Sequence, residues 1–237
     1  MNRRDLLVSA AALGLVACAP SLVRSTAARV GLWVDLARCR RLAGCVACQA
    51  ACHRVHNVPD LPEPGEAVRW VSFATFERAL PAAVHPALAE AARTATLPVL
   101  CNHCDDPPCV RVCPAGATFA RPDGAVVVDA HRCVGCRYCM AACPYGARSF
   151  NFRDPRPYVA EVQAGYPCRE RGVVEKCNLC AERRERGQAP ACVGACPAGA
   201  LGFGLIGVWA ANGSLAGRVV LVRRPELGTS PRVFYVV

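Results

Sequence analysis

Cys133-Val134-Gly135-Cys136-Arg137-Tyr138-Cys139-Met140-Ala141-Ala142-Cys143-Pro144 sets four cysteines at the spacing C-x2-C-x2-C-x3-C-P. Three thiolates this close wrap three corners of one small [4Fe–4S] cube. The fourth, displaced along the chain and followed by proline, reaches a neighbouring cluster. Gly135 lets the backbone turn tightly and bring its N–H groups towards the sulfides. Pro144 fixes the direction in which the chain leaves.

Three variants of this run surround it. Cys101-x2-Cys104-x4-Cys109-x3-Cys113-Pro114 lies upstream, and Cys177-x2-Cys180-x11-Cys192-x3-Cys196-Pro197 lies downstream. Cys39-x5-Cys45-x2-Cys48-x3-Cys52, with no proline after it, opens the series. Together they use sixteen of the eighteen cysteines, the ligand count of four cubes. Zinc sites draw on C-x2-C pairs set far apart and have no reason for the C-x2-C-x2-C-x3-C-P pattern. Cysteines crowded at x2 and x3 spacing are also poor disulfide partners for one another.

At 237 residues the chain is long enough for one or two domains with real cores. Its 53% hydrophobic content counts eighteen cysteines, so the apolar core is smaller than that figure implies. A formal charge of +10 invites a nucleic-acid reading. The thiolates remove it. An oxidised cube with four of them carries about −2, and four cubes bring the balance to about +2. The arginines then mainly offset buried negative charge, and nucleic acid drops out as a partner. No Ser/His/Asp set and no paired-carboxylate pattern competes for an active site, so no catalytic residues are assigned.

The chain opens with Asn2-Arg3-Arg4-Asp5-Leu6-Leu7 and an apolar run through Val16. Adjacent arginines before Leu-Leu look like a twin-arginine export signal, a route that carries folded, cofactor-loaded protein. Leu15-Val16-Ala17-Cys18 has the form of a lipobox. Three outcomes fit it: lipidation of Cys18, cleavage after a small residue with Cys18 discarded, or retention as an anchor. No later hydrophobic segment approaches bilayer length, so membrane contact is expected through a partner or a lipid.

Residues 28–36 alternate as a strand, and Cys45 to Val55 reads as a turn and a short helix bearing Cys52, His53 and His56. Those histidines are expected to be polar residues beside a cluster or on a partner-facing loop. Pro59, Pro62, Pro64 and Gly65 form a linker, residues 70–76 a second strand, and residues 82–95 a surface helix. Asp123-Gly124 turns a hairpin between 117–121 and 125–129. Residues 151–172 are a turn-rich surface excursion with Cys168 as a bystander, and Glu182 to Gly187 a short exposed helix packing over its cluster or touching a partner. Residues 217–223 and 233–237 are a closing strand pair.

Several stretches carry a family resemblance: Leu100-Cys101-Asn102-His103-Cys104-Asp105-Asp106-Pro107-Pro108-Cys109, Arg132 to Cys139, Ala142-Cys143-Pro144-Tyr145-Gly146-Ala147-Arg148, and Lys176-Cys177-Asn178-Leu179-Cys180. The chain resembles the four-cluster ferredoxin-like subunits of membrane-bound respiratory oxidoreductases, typified by the iron–sulfur subunit of dimethyl sulfoxide reductase. Within that family, Ala51 to Pro59 and Ser149 to Pro157 are most similar to the periplasmic iron–sulfur subunits of DsrMKJOP-type complexes of sulfur metabolism.

The resemblance implies an α+β fold of two pseudo-symmetric ferredoxin-like domains, each with two [4Fe–4S] clusters. Its boundaries would be 1–26 for the export segment, 27–98 with 156–204 for motifs one and four, 99–155 for motifs two and three, and 205–237 for a C-terminal closing segment. It also implies ligand swapping: Cys101, Cys104 and Cys109 with Cys143; Cys133, Cys136 and Cys139 with Cys113; Cys39, Cys45 and Cys48 with Cys196; Cys177, Cys180 and Cys192 with Cys52. The x5 spacing departs from the family pattern and leaves two readings of Cys39, a ligand or a bystander beside an open or [3Fe–4S] corner. The implied role is single-electron relay in the periplasm. The implied partners are an NrfD-like quinone-interacting membrane subunit (DsrP type) and a multihaem cytochrome c (DsrJ type). The rival is a molybdopterin catalytic chain, as in tetrathionate, polysulfide or dimethyl sulfoxide reductases.

Overall fold

The computed structural model describes residues 29–81, 96–211 and 218–237. The expected export segment with Cys18 and the expected helix at 82–95 lie outside the described residues.

Strand β1 (Val30–Asp35) buries Leu32 and Val34 completely on one face and sets Trp33 on the other. Asp35 ends it by capping the next turn, its Oδ1 accepting from Arg38 N at 3.0 Å, so that α1 (Leu36–Cys39) delivers Cys39. Residues 40–44 then run exposed, the three-residue excess of the first motif bulging outward. Helix α2 (Ala47–Val55) buries Cys48 and Cys52, four residues apart and therefore on one face. His56 stands just past the end of α2 rather than on it.

Strand β2 (Val71–Thr75) leads into the single turn α3 (Phe76–Ala79) and pairs antiparallel with β3 (Thr96–Leu100), which runs straight into the second motif. Pro108 begins α4 (Pro108–Arg111), where its missing N–H costs nothing. Strands β4 (Thr118–Ala120) and β5 (Val126–Val128) form the expected hairpin. Gly124 sits there at φ +82°, and a Cβ on it would strike the guanidinium of Arg232. The third motif supplies α5 (Tyr138–Ala141). The short pair β6 (Ser149–Phe150) and β7 (Val174–Glu175) clamps both ends of the surface excursion. The fourth motif carries α6 (Ala181–Glu185) and α7 (Ala191–Gly194), followed by β8 (Leu201–Leu205), α8 (Ile206–Ala211), β9 (Val220–Leu221) and β10 (Val233–Val236).

The largest sheet has the order β8-β1-β10-β9. β10 does pair with β9, but its other edge runs parallel to β1, with Leu32 opposite Val233 and Val34 opposite Tyr235. The tail therefore sits inside the sheet, sharing a core with the strand that opens the first motif. Arg232, 2% exposed, fastens this junction. Its Nε donates to His103 O at 2.7 Å and its Nη1 to Val30 O at 2.9 Å, which ties β1 to the second motif. Trp70, Val71, Leu97 and Leu100 pack in the same core with Cys48, Cys52, Cys101, Cys177 and Cys192. A second, small core holds Cys109, Val126, Cys139 and Val174. Sulfur thus stands where another protein of this size would place more leucine and phenylalanine. None of the described helices is long and apolar enough to cross a membrane.

Four thiol quartets in a row

The structure gathers the sixteen motif cysteines into four groups, each taking three thiols from one motif and the fourth from another. Cys101, Cys104, Cys109 and Cys143 line one cavity together with Pro107, Pro144, Tyr145 and Arg148. Cys113, Cys133, Cys136 and Cys139 line a second with Thr118, Gly135 and Val174. Cys39, Cys45, Cys48 and Cys196 form a third group, and Cys52, Cys177, Cys180 and Cys192 a fourth. Cys39 therefore stands with its motif despite the longer loop. Cys168 joins none of the four.

The x3 spacing explains the exchange of ligands. Residues i and i+4 on a helix lie just over one turn, about 6 Å, apart along its axis. A single turn such as α4, α5 or α7 can thus give one thiol to its own quartet while the cysteine just past its end serves the neighbouring one. Helix α2 does this with Cys48 and Cys52.

Burial and mutual repulsion make ionisation costly in the first-, second- and fourth-motif quartets. In the third, burial raises Cys139, but backbone N–H groups outweigh burial at Cys113 and hold its thiol below the usual range. Burial, then Cys101, Cys109 and Cys143, push the Cys104 thiol up to about 12. Burial, then Cys39, Cys196 and Cys45, push Cys48 up to about 11. Burial and the thiols of Cys177, Cys192 and Cys180 raise Cys52 well above the usual range. Four buried thiolates would repel one another strongly unless a polycation took up their charge. Backbone N–H groups already point at sulfur: Thr118 to Cys113 at 3.4 Å, Ala191 to Cys180 at 3.4 Å and Ala200 to Cys196 at 3.2 Å.

All seventeen described cysteines are free of disulfides. Their spread also discriminates between metals. Four sulfurs at zinc-bonding distance would lie about 3.8 Å apart. Among the described residues, the one group of three or more His, Cys, Asp or Glu side chains gathered closely enough to share a single ion is His56, Cys180 and Glu182, whose ligand atoms lie within 4.8 Å of one another, and no quartet is such a group. The quartets are built for something larger than one ion, and a four-iron cube with soft thiolate corners fits them.

The quartets follow one another in a line. Cys139 of the third-motif quartet is a neighbour of Cys109 in the second, and Cys101 of the second is a neighbour of Cys177 in the fourth. Cys192 and Cys52 of the fourth neighbour Cys48 of the first. The order is third, second, fourth, first. The two middle quartets are mostly buried, whereas both ends reach the surface beside apolar side chains. At one end Cys136 is exposed between Val134 and Tyr138, which are 68% and 62% exposed. Val46 and Leu42 flank the other end.

His56, which the sequence placed on a loop or near a cluster, is buried against the fourth quartet. Its Nδ1 lies 2.9 Å from Cys52 O and 3.7 Å from Cys52 Sγ, and its Nε2 lies 2.8 Å from Glu182 Oε1. The ring stacks on Trp70 at 4.5 Å and meets the edge of Tyr166 at 4.8 Å. Burial lowers its basicity, but Cys180 and Glu182 more than reverse this and push it up to about 9. Glu182, on the short helix expected to pack over its cluster or touch a partner, lies beside this quartet through His56. His103 is the opposite case. Its Nδ1 accepts from Val126 N at 3.0 Å, and burial with the nearby Lys176 and Arg232 holds its basicity down, so it stays neutral.

Among the arginines, read from the sequence chiefly as counterweights to cluster charge, surface pairs contrast with one buried beside sulfur. Arg111 with Asp106, Arg121 with Glu185, Arg153 with Glu66 and Arg156 with Asp154 form ordinary ion pairs at the surface. Arg148 is buried among the thiols.

Known proteins place this geometry. Residues 92–206 match the family model described as a 4Fe-4S dicluster domain. The chain is 45% identical over 199 residues to Hdr-like menaquinol oxidoreductase iron-sulfur subunit 1 of Archaeoglobus fulgidus, covering 79% of this chain and 71% of that one. It is 37% identical over 214 residues to a tetrathionate reductase subunit of Salmonella typhimurium, covering 88% and 72%. It is 34% identical over 236 residues to the menaquinone reductase iron-sulfur cluster-binding subunit of Nitratidesulfovibrio vulgaris, covering 87% and 88%. With identity and coverage of this order across such relatives, the chain belongs to the family of iron–sulfur electron-transfer subunits of membrane-associated menaquinol and molybdopterin-type oxidoreductases.

Proposed function

We propose that this chain is the periplasmic iron–sulfur relay of a quinone-linked redox complex of the DsrMKJOP type, holding one [4Fe–4S] cluster in each of its four quartets. The observation that carries the reading is the single file of quartets with a solvent-facing end at each extreme. Bound cubes of this kind take up and release one electron at a time. The protein's part is to fix their order, to keep water from the two middle sites and to leave apolar surface at the ends where partners dock. Tyr166 and Trp70 wall off the fourth quartet through His56. Trp70 is itself held by Glu175, which accepts from its Nε1 at 3.0 Å.

One end would face a quinone-interacting membrane subunit of the NrfD (DsrP) type and the other a multihaem cytochrome c of the DsrJ type. Two observations support the quinone-linked reading. One is the similarity to subunits named for menaquinol and menaquinone chemistry. The other is the pair of stretches at 51–59 and 149–157 that resemble the iron–sulfur subunit, DsrO, of DsrMKJOP-type complexes. The second reading, service beside a molybdopterin catalytic chain, is favoured by the likeness to the tetrathionate reductase subunit. Purification of the native complex under mild detergent decides between them. Co-purification of a multihaem cytochrome c with a quinone-binding membrane subunit is expected, and a molybdenum-containing partner would overturn the assignment.

A further inference from the structure

Arg148 is 5% exposed, a depth at which a guanidinium normally has a carboxylate beside it. Among the described residues no carboxylate pairs with it. Its Nη1 donates to Thr118 Oγ1 at 3.1 Å, and its Nη2 is buried without an oxygen or nitrogen acceptor. The neighbours that remain are sulfurs. Cys109 and Cys101 belong to the second quartet, and Cys139 belongs to the third. Arg148 lines the cavity of the second quartet, while its oxygen partner Thr118 lines that of the third. Thr118 also donates its backbone N–H to Cys113 Sγ at 3.4 Å. The small apolar core of Cys109, Val126, Cys139 and Val174 spans the same two cavities, so little water is present to screen the charge.

We propose that Arg148 is a fixed cation shared by two adjacent clusters, and that it sets the reduction potentials of the second- and third-motif centres together. The inference rests on reading the quartets as cluster sites. Reduction adds negative charge to a centre. A permanent positive charge beside it, in a dry surround, favours the reduced form and raises the potential. Arginine does not lose its proton at any working pH, so the bias is constant. One cation between two centres lifts both at once. Because both shift in the same direction, the difference between them is left largely as it was. Arg148 is a positioning and tuning residue here, not a catalytic one.

The test is redox titration of the purified holoprotein followed by EPR, with iron and sulfide determined on the same samples. Arg148→Gln removes the charge and keeps a polar side chain for Thr118; Arg148→Lys keeps the charge and loses the fork. In Arg148→Gln, two of the four centres should become at least tenfold harder to reduce, about 59 mV for a one-electron couple. The other two should stay within a factor of two. In Arg148→Lys all four should hold within about a factor of three, since the charge is kept. Four unshifted centres in Arg148→Gln, or four shifted alike, overturn the proposal. If Arg148→Gln loses iron, Arg148→Lys decides: full iron with both potentials in place supports a charge role, and loss of iron there too makes the residue structural and overturns it. A wild-type protein short of four clusters defeats the cluster reading instead, which separates the two failures.

Discussion

Arg232→Met tests how the second motif is held to the sheet. The substitution keeps most of the side-chain volume and removes the guanidinium. His103 O and Val30 O lose donors at 2.7 and 2.9 Å, and the longer contact to Asp123 O at 3.3 Å is lost with them. Asp105 is not stranded, because Arg29 still pairs with it. Leaving a buried acceptor unpaired costs about 1–3 kcal/mol, so two strong contacts give roughly 3 kcal/mol after some relaxation. Each 1.36 kcal/mol is a factor of ten, so an effect felt wholly in the unfolding barrier speeds cluster loss about 150-fold, and one felt by half about tenfold. The assay is the rate of visible bleaching in guanidinium under strict anaerobiosis. Arg111→Met is the control, because its pair with Asp106 is exposed at 59% and 62% and its loss should change the rate no more than about twofold. Bleaching of Arg232→Met within twofold of wild type would refute the junction as described.

Other substitutions bear on single sites. Cys39 stands with Cys45, Cys48 and Cys196, so Cys39→Ser should convert one [4Fe–4S] centre to a [3Fe–4S] signal in the oxidised EPR spectrum and leave three; four intact cubes would make Cys39 a bystander. Gly135 adopts φ +70°, and a Cβ there would collide with the carbonyl of Gly172. Gly135→Ala should therefore cost at least about 1–2 kcal/mol and empty the third-motif quartet first, seen as about twelve irons per chain in place of sixteen. Paired replacement of Arg3 and Arg4 by Lys should leave cluster-loaded protein in the cytoplasm, and unchanged export would mean that another pathway reads the segment.

The four cysteine motifs were legible in the sequence because ligand spacing is a local property: x2 fits a tight loop and x3 a single helical turn; the exchange of the fourth thiol between motifs came only from the family resemblance. The hairpin was legible for the same reason, since Asp123-Gly124 names its own turn. Strand β8 was not. Leu201-Gly202-Phe203-Gly204-Leu205 carries two glycines that weaken any strand signal, and their purpose appears only in space, where a Cβ on Gly202 would overlap the indole of Trp33. The interior position of β10 was equally hidden, because its parallel partner β1 lies some 200 residues upstream. His56 and Glu182 are 126 residues apart, and no periodicity joins them. The charge count pointed to arginines near the clusters but gave no means of separating Arg148 from those that pair with surface carboxylates.

Iron and acid-labile sulfide, counted per chain on anaerobically purified protein, test the central claim most directly. Four quartets that each hold a cube predict about sixteen of each and no zinc. Zinc in stoichiometric amount, or iron near eight, would contradict it.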